Sequence, residues 1–280
     1  MSFAADHDAW IPRAALLAHS RTRHTLLVQS LIGLLRGRDY GNSSMIACMH
    51  ILLPPSEGKS APAVGPHLDL SAMTWPDLTQ ARHQAIEELI TVSTSCEALS
   101  VLRVGKRIAG EVEAQRDLWN APCAPAREVY TGVLYEAAKL HAGDDVVIFS
   151  GLFGATTAED LIPSYRLSIN VSLPITGALK SFWRHRLERA DFLNDDDVVV
   201  DMRSGAYQVW DPRGIWWDTK VTDSHGKVVT HMAKRYRGLL TRALLDAKTD
   251  EVADVARTLG EVRVTQKDNR RHLVLIPEGM

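Results

Sequence analysis

The residues best suited to chemistry are basic side chains beside glycines and aromatics at the ends of predicted elements. Lys59 follows Glu57 and Gly58 in the loop Pro54-Pro55-Ser56-Glu57-Gly58-Lys59-Ser60, directly after the apolar run at 50–53. Arg166 follows Tyr165 in the stretch 146–170, VVIFSGLFGATTAEDLIPSYRLSIN. Arg103, Lys106 and Arg107 surround Gly105, and Lys234, Arg235 and Arg237 occupy the first turns of a predicted helix over 233–246. Cations so placed suit an anion, because loops at element ends leave backbone and side chains free to meet a ligand. At a helix start they oppose the helix dipole, an arrangement a shared anion relieves. Beside them stand Glu57, Tyr130, Thr131, Ser150, Asp160, Tyr165 and Ser204, a set able to line a cleft and move protons. No nucleophile–base pair can be assigned from spacing, so no catalytic residue is named. The plain alternative for each cation is a solvated surface charge.

These residues need elements to hold them. Apolar runs at 50–53, 146–149 and 198–200 read as buried strands, each broken by proline or small residues. Apolar residues at helical spacing mark 77–91, and 133–140, 179–190, 233–246 and 250–259 also read as helices. Alternating strands and helices point to an α/β (mixed α+β) single domain, with ligands at strand ends. Segments 215–222 and 227–231 read as a β-hairpin across Asp223-Ser224-His225-Gly226. A closing hairpin spans 261–266 and 272–276. Residues 99–112 have the look of a helix-hairpin-helix, with Gly105 as the turn and Lys106 and Arg107 on the new first turn. An ordinary helical hairpin fits the same residues.

Composition sets limits. The chain has 280 residues, 45% hydrophobic and 24% charged, with net charge −2. Residues 1–48 carry five Arg, three Asp and no Lys or Glu, so removing that +2 leaves −4. They read as an extension outside the fold, with residues 49–280 forming the domain. The whole chain is therefore no electrostatic magnet for nucleic acid, and any anion site is a local patch. GxxxxGK[ST] is absent, because Leu53 stands five before Gly58, which argues against a nucleotide triphosphatase loop. No CxxC or HExxH spacing and no ligand cluster for iron or haem occurs, so no metal and no cofactor is expected. Cys48, Cys96 and Cys123 lie far apart, which fits a reducing, cytoplasmic compartment. No apolar run approaches the roughly 18 residues of a membrane span.

Several of these stretches together resemble the YaaA peroxide-stress family. The matching residues are the Pro54 to Lys59 loop, Val129-Tyr130-Thr131-Gly132, Ser150-Gly151-Leu152-Phe153-Gly154, Asp160-Leu161-Ile162, and Tyr165-Arg166-Leu167. Phe182-Trp183, the strand ending at Ser204, Ala233-Lys234-Arg235 and Arg237-Gly238-Leu239 follow in order. This chain has Glu57-Gly58-Lys59 where relatives often have Ala-Lys-Thr. The resemblance implies a curved mixed sheet wrapped by helices, with a basic cleft. It implies a cytosolic bacterial protein that limits damage by peroxide and free iron, and DNA binding through a helix-hairpin-helix.

Two expectations follow. In the first, Lys59, Arg103, Lys106, Arg107, Arg166, Lys234, Arg235 and Arg237 line one cleft that binds double-stranded DNA without sequence preference. In the second, the cleft takes a small anionic or nucleobase-like ligand and acts as an enzyme. A long open groove would favour DNA; convergence of Lys59, Tyr165, Arg166 and Lys234 on a pocket of a few hundred Å3 would favour the ligand.

Overall fold

The computed structural model describes residues 48–278 except 191, 192, 195, 229 and 248. The segment read as an extension lies outside the described residues, apart from Cys48. In chain order the strands are β1 (Met49–Leu53), β2 (Ala124–Pro125), β3 (Val146–Ser150), β4 (Gly154–Thr157), β5 (Leu161–Ile162), β6 (Ser172–Leu173), β7 (Gly177–Ala178), β8 (Val198–Asp201), β9 (Ile215–Val221), β10 (Gly260–Lys267) and β11 (Arg270–Pro277). The α-helices are α1 (Thr79–Thr94), α2 (Ala98–Val101), α3 (Ala109–Ala114), α4 (Ala126–Val129), α5 (Val133–Ala138), α6 (Leu179–Leu187), α7 (Thr230–Ala247) and α8 (Val252–Arg257).

Seven strands form one open mixed sheet in the order β10-β11-β9-β8-β1-β3-β4. The five inner strands are mutually parallel, and β10 and β4 add an antiparallel strand at each edge. Ile51, Leu52, Leu53 and the whole of β3 and β8 are buried. That is why these strands read as unbroken apolar runs: an inner parallel strand is covered on both faces. The chain leaves β1 towards β3 on one side and returns later through β8 on the other. The carboxyl end of β1 is therefore a topological switch point, where open α/β sheets leave a crevice.

The reading of 215–222 and 227–231 as a hairpin is corrected. β9 pairs in parallel with β8 on one side and β11 on the other, so neither edge is open to residues 227–231. The Asp223 turn does form: Oδ1 of Asp223 accepts from the N–H of His225 and Lys227. It delivers the chain into α7 instead of a strand. The closing hairpin is present as β10 and β11.

The edge strand β4 is sealed by a buried cation. Arg82 on α1 is fully buried and donates to Phe153 O at 3.2 Å, Ala155 O at 2.7 Å and Thr74 O at 2.8 Å. Burial pulls its pKa down to about 10, against the pull of Asp160. Covering an edge this way removes a template for unwanted strand pairing.

Candidate functional site

A cavity of about 430 Å3 opens at the carboxyl ends of β1 and β8, lined among others by Glu57, Lys59, Arg103, Arg166, Ser168 and Tyr207. A larger, more open recess of about 860 Å3 runs along α1 and touches none of the predicted site residues.

Lys59 is placed by backbone. Ser60 N donates to Val129 O at 2.8 Å and Thr131 N donates to Gly58 O at 3.1 Å, so Lys59 bridges to Tyr130 in antiparallel register. The half-buried side chain lies over two rings, with Nζ 4.4 Å from the Tyr165 centroid and 5.4 Å from Tyr130. Its hydrogen bond goes to Ser56 O at 2.7 Å, a carbonyl rather than a carboxylate. Burial and the Arg166 charge pull the Lys59 pKa down to about 7, partly offset by Glu111 and Glu57.

Arg166 is positioned by glycine and by one helical segment. The chain at 167–169 passes so close to Gly151 that a Cβ there would sit 2.7 Å from Leu167 O. The N–H of Arg166 donates to Gln115 Oε1 at 2.8 Å, and its guanidinium grips both carboxylate oxygens of Glu111. Gln115 is itself buried and donates to Ser93 Oγ at 2.9 Å. The Arg166 pair holds the Glu111 carboxyl below its usual range through a direct hydrogen bond.

Behind Lys59 lies a buried hydroxyl chain. Tyr130 and Tyr165 share a hydrogen bond of 2.7 Å, and both also bond Ser150. Ser150 Oγ accepts from Phe153 N at 3.0 Å, so the hydroxyls are fixed to the end of β3. Burial pushes both tyrosines well above their usual pKa, so they stay neutral donors. Tyr207 also lines the cavity and bonds Ser168.

The predicted helix-hairpin-helix stretch forms the rim. Helix α2 ends in a paired turn: Val104 N donates to Leu99 O at 3.0 Å and Arg103 N to Ser100 O at 3.2 Å. The left-handed position of such a turn normally holds glycine. Here it is Arg103, with φ +55°, whereas Gly105 has φ −79°. Gly105 is thus not the residue that turns the chain, which corrects the sequence reading. Lys106 and Arg107 follow on a single 3-10 turn before α3 and are exposed.

The other predicted residues go elsewhere. Lys234 and Arg235 are exposed on α7 and do not line the cavity. Arg237 is half-buried and faces the carboxylates of Asp201 and Asp218, while burial lowers its pKa. Asp160 is buried and accepts from Thr74 N and Thr157 N, both at 2.8 Å. It fixes a loop. Thr131 packs behind Gly58, and Ser204 starts the short turn that carries Tyr207. Lys59, Arg103, Arg166 and Glu57 therefore converge on one cavity, and the α7 cations do not join them. Sequence reading missed Glu111, Gln115 and Tyr207. Glu111 lies in the same predicted helix as Lys106, so opposite charge beside a basic run was the available signal.

The fold and site define a mixed α/β protein with a basic cavity at a sheet switch point. Residues 49–261 match the family described as peroxide stress protein YaaA. The chain is 38% identical over 237 residues to a UPF0246 protein of Streptomyces coelicolor, covering 76% of this chain and 90% of the relative. It is 35% identical over 246 residues to a UPF0246 protein of Corynebacterium efficiens, covering 81% and 100%. An uncharacterized protein of Campylobacter jejuni is 30% identical over 207 residues, 69% of this chain and 82% of that one. The chain belongs to the YaaA (UPF0246) peroxide-stress family. Among the described residues no helix is long and apolar enough to cross a membrane, and no group of three or more His, Cys, Asp or Glu is placed to hold a metal ion.

Proposed function

We propose that this chain binds a small anionic ligand, of nucleotide or nucleobase type, in the Lys59 cavity and acts on it by proton transfer. The observation that carries this is the convergence of Lys59, Arg103 and Arg166 on about 430 Å3, with Glu57 and the Tyr207 ring on the walls. Such a volume suits a small molecule. Cations hold the anionic group, Tyr207 offers a face to a planar body, and Glu57 accepts a proton or a hydrogen bond. Titration calorimetry of the full chain with nucleoside monophosphates and free nucleobases tests this. Wild type should bind at least one. Arg166→Ala should bind it about ten-fold or more weakly, the worth of a charge-assisted hydrogen bond. No binding by any of them would overturn the reading.

The exposed rim favours a second reading, non-specific binding of double-stranded DNA. Arg103, Lys106 and Arg107 stand exposed within five residues of one another there. Alanine at both Lys106 and Arg107 should then flatten a steep salt dependence, whose log-log slope would be about −4 to −5 for five phosphate contacts. Under either reading the protein works in the cytoplasm during peroxide stress and limits the damage that peroxide and free iron do to DNA.

A further inference from the structure

We propose that Lys59 is an imine-forming amine, and that the cavity takes a small carbonyl compound that also carries a carboxylate or phosphate. This rests on reading the cavity as a small-anion site and gives it a carbonyl ligand in place of the nucleotide type named above.

The geometry is unusual for a structural lysine. Among the described residues no carboxylate lies within ion-pair distance of Lys59, and its amine donates to the Ser56 carbonyl at 2.7 Å. The nearest cation, Arg166, already holds Glu111 as its own partner. Tyr130 and Tyr165 cover the amine with ring faces and keep water from one side of it. The charged and titratable groups facing Lys59 are Arg166, Glu111, Glu57, Tyr130 and Tyr165, with Arg103 across the cavity. Burial first, then the Arg166 charge, lowers the ammonium pKa to about 7 against the opposing pull of Glu111 and Glu57. A lysine desolvated beside another cation is a common form of amine nucleophile, because the neutral amine is present at neutral pH. A ligand anion held by Arg166 and Arg103 would place an adjacent carbonyl carbon at Nζ.

The step balances without a redox partner. The nitrogen lone pair forms a C–N bond to the carbonyl carbon, and the carbonyl electrons move to oxygen, which takes a proton. The nitrogen gives up a proton to Glu57 or solvent. The resulting hydroxyl then leaves as water, carrying a second proton, as the nitrogen lone pair forms C=N, and the iminium nitrogen gives up its remaining proton to solvent. Amine plus carbonyl gives imine plus water.

The test treats the full chain with glyoxylate in one arm and pyridoxal 5′-phosphate in the other, reduces with cyanoborohydride and maps modified peptides by mass. Expected is an adduct at Lys59 ahead of every surface lysine, in one or both arms. The arm that reacts identifies carboxylate or phosphate as the preferred anion. Labelling at Lys59 should rise with pH through about 7. Arg166→Ala should slow it about ten-fold at pH 7, since it removes an anion contact and lets the lysine pKa rise. Labelling spread evenly over surface lysines, with Lys59 no faster, would overturn the proposal. If nucleoside monophosphates still bind in calorimetry while Lys59 resists labelling, imine chemistry falls and the small-ligand reading stands. If neither occurs, both fall.

Discussion

Two clusters of charge sit close together at the carboxyl ends of the sheet, and they treat their cations in opposite ways. Arg203 and Asp201 are both fully buried, and the guanidinium meets the carboxylate with two parallel bonds, 2.9 and 2.8 Å long. Arg203 also donates to Trp210 O at 2.8 Å and lies 4.3 Å from the Phe149 ring. Every strong demand of that cation is met. Lys59 is partly open to a cavity, has a carbonyl for partner and lies beside another cation. A satisfied buried charge holds structure. An unsatisfied one at a cavity wall stores a cost that the fold would shed unless a ligand used it. Arg203 in turn bonds Tyr207 O at 3.4 Å, so the satisfied cluster shapes one wall of the unsatisfied one.

The sharpest way to break this contrast is to remove each cation. Arg203→Leu should cost about 3–5 kcal/mol in urea unfolding, because Asp201 is left charged in a dry site. A loss under about 1 kcal/mol would show that the pair is no structural pin. Lys59→Met should be neutral or stabilising, and its sign follows from linkage. The Lys59 pKa is depressed in the fold, so the folded state resists holding that proton. Wild-type stability therefore rises with pH between about 7 and 10.5, and the gain from Lys59→Met should be larger at pH 6 than at pH 9. Equal melting shifts at the two pH values would remove the claim that the lysine is unsatisfied.

The smallest effect lies at the other end of the sheet. His50 bridges Asp145 and Asp197 at 3.2 Å each. Burial lowers its pKa, but hydrogen bonds and charge from the two carboxylates outweigh that and raise it overall. Its stabilisation is thus complete below pH 6.5 and fades as pH rises through the raised value. His50→Gln should cost about 0.5–1 kcal/mol at pH 5.5 and little at pH 9, read from paired unfolding curves. A loss independent of pH would mean that packing, not charge, is the role of this histidine.

Much of the frame was legible in the chain. The apolar runs of β1, β3 and β8 announce strands covered on both faces. Gly151 and Gly154 announce close approach: a Cβ at Gly154 would meet the Trp183 ring at 2.5 Å. The Pro54 to Lys59 loop and Arg166 were recognisable as element ends, and the structure places Lys59 and Arg166 on the cavity wall. The β9 error has a physical cause. A turn signal such as Asp223-Ser224-His225-Gly226 reports only local backbone preference, and whether a strand can follow depends on a free sheet edge.

By itself, then, the sequence determined strand cores, turns, the family and the positions of cations along the chain, because burial periodicity and backbone freedom are local properties. Only the tertiary structure decided which cations meet. Arg166 reaches Lys59 because a segment crosses Gly151 and is gripped by Gln115 and Glu111. Arg237 turns instead to Asp201 and Asp218. Charges act over a few ångströms of space, and contacts between residues far apart in the chain exist only once the sheet has brought them together.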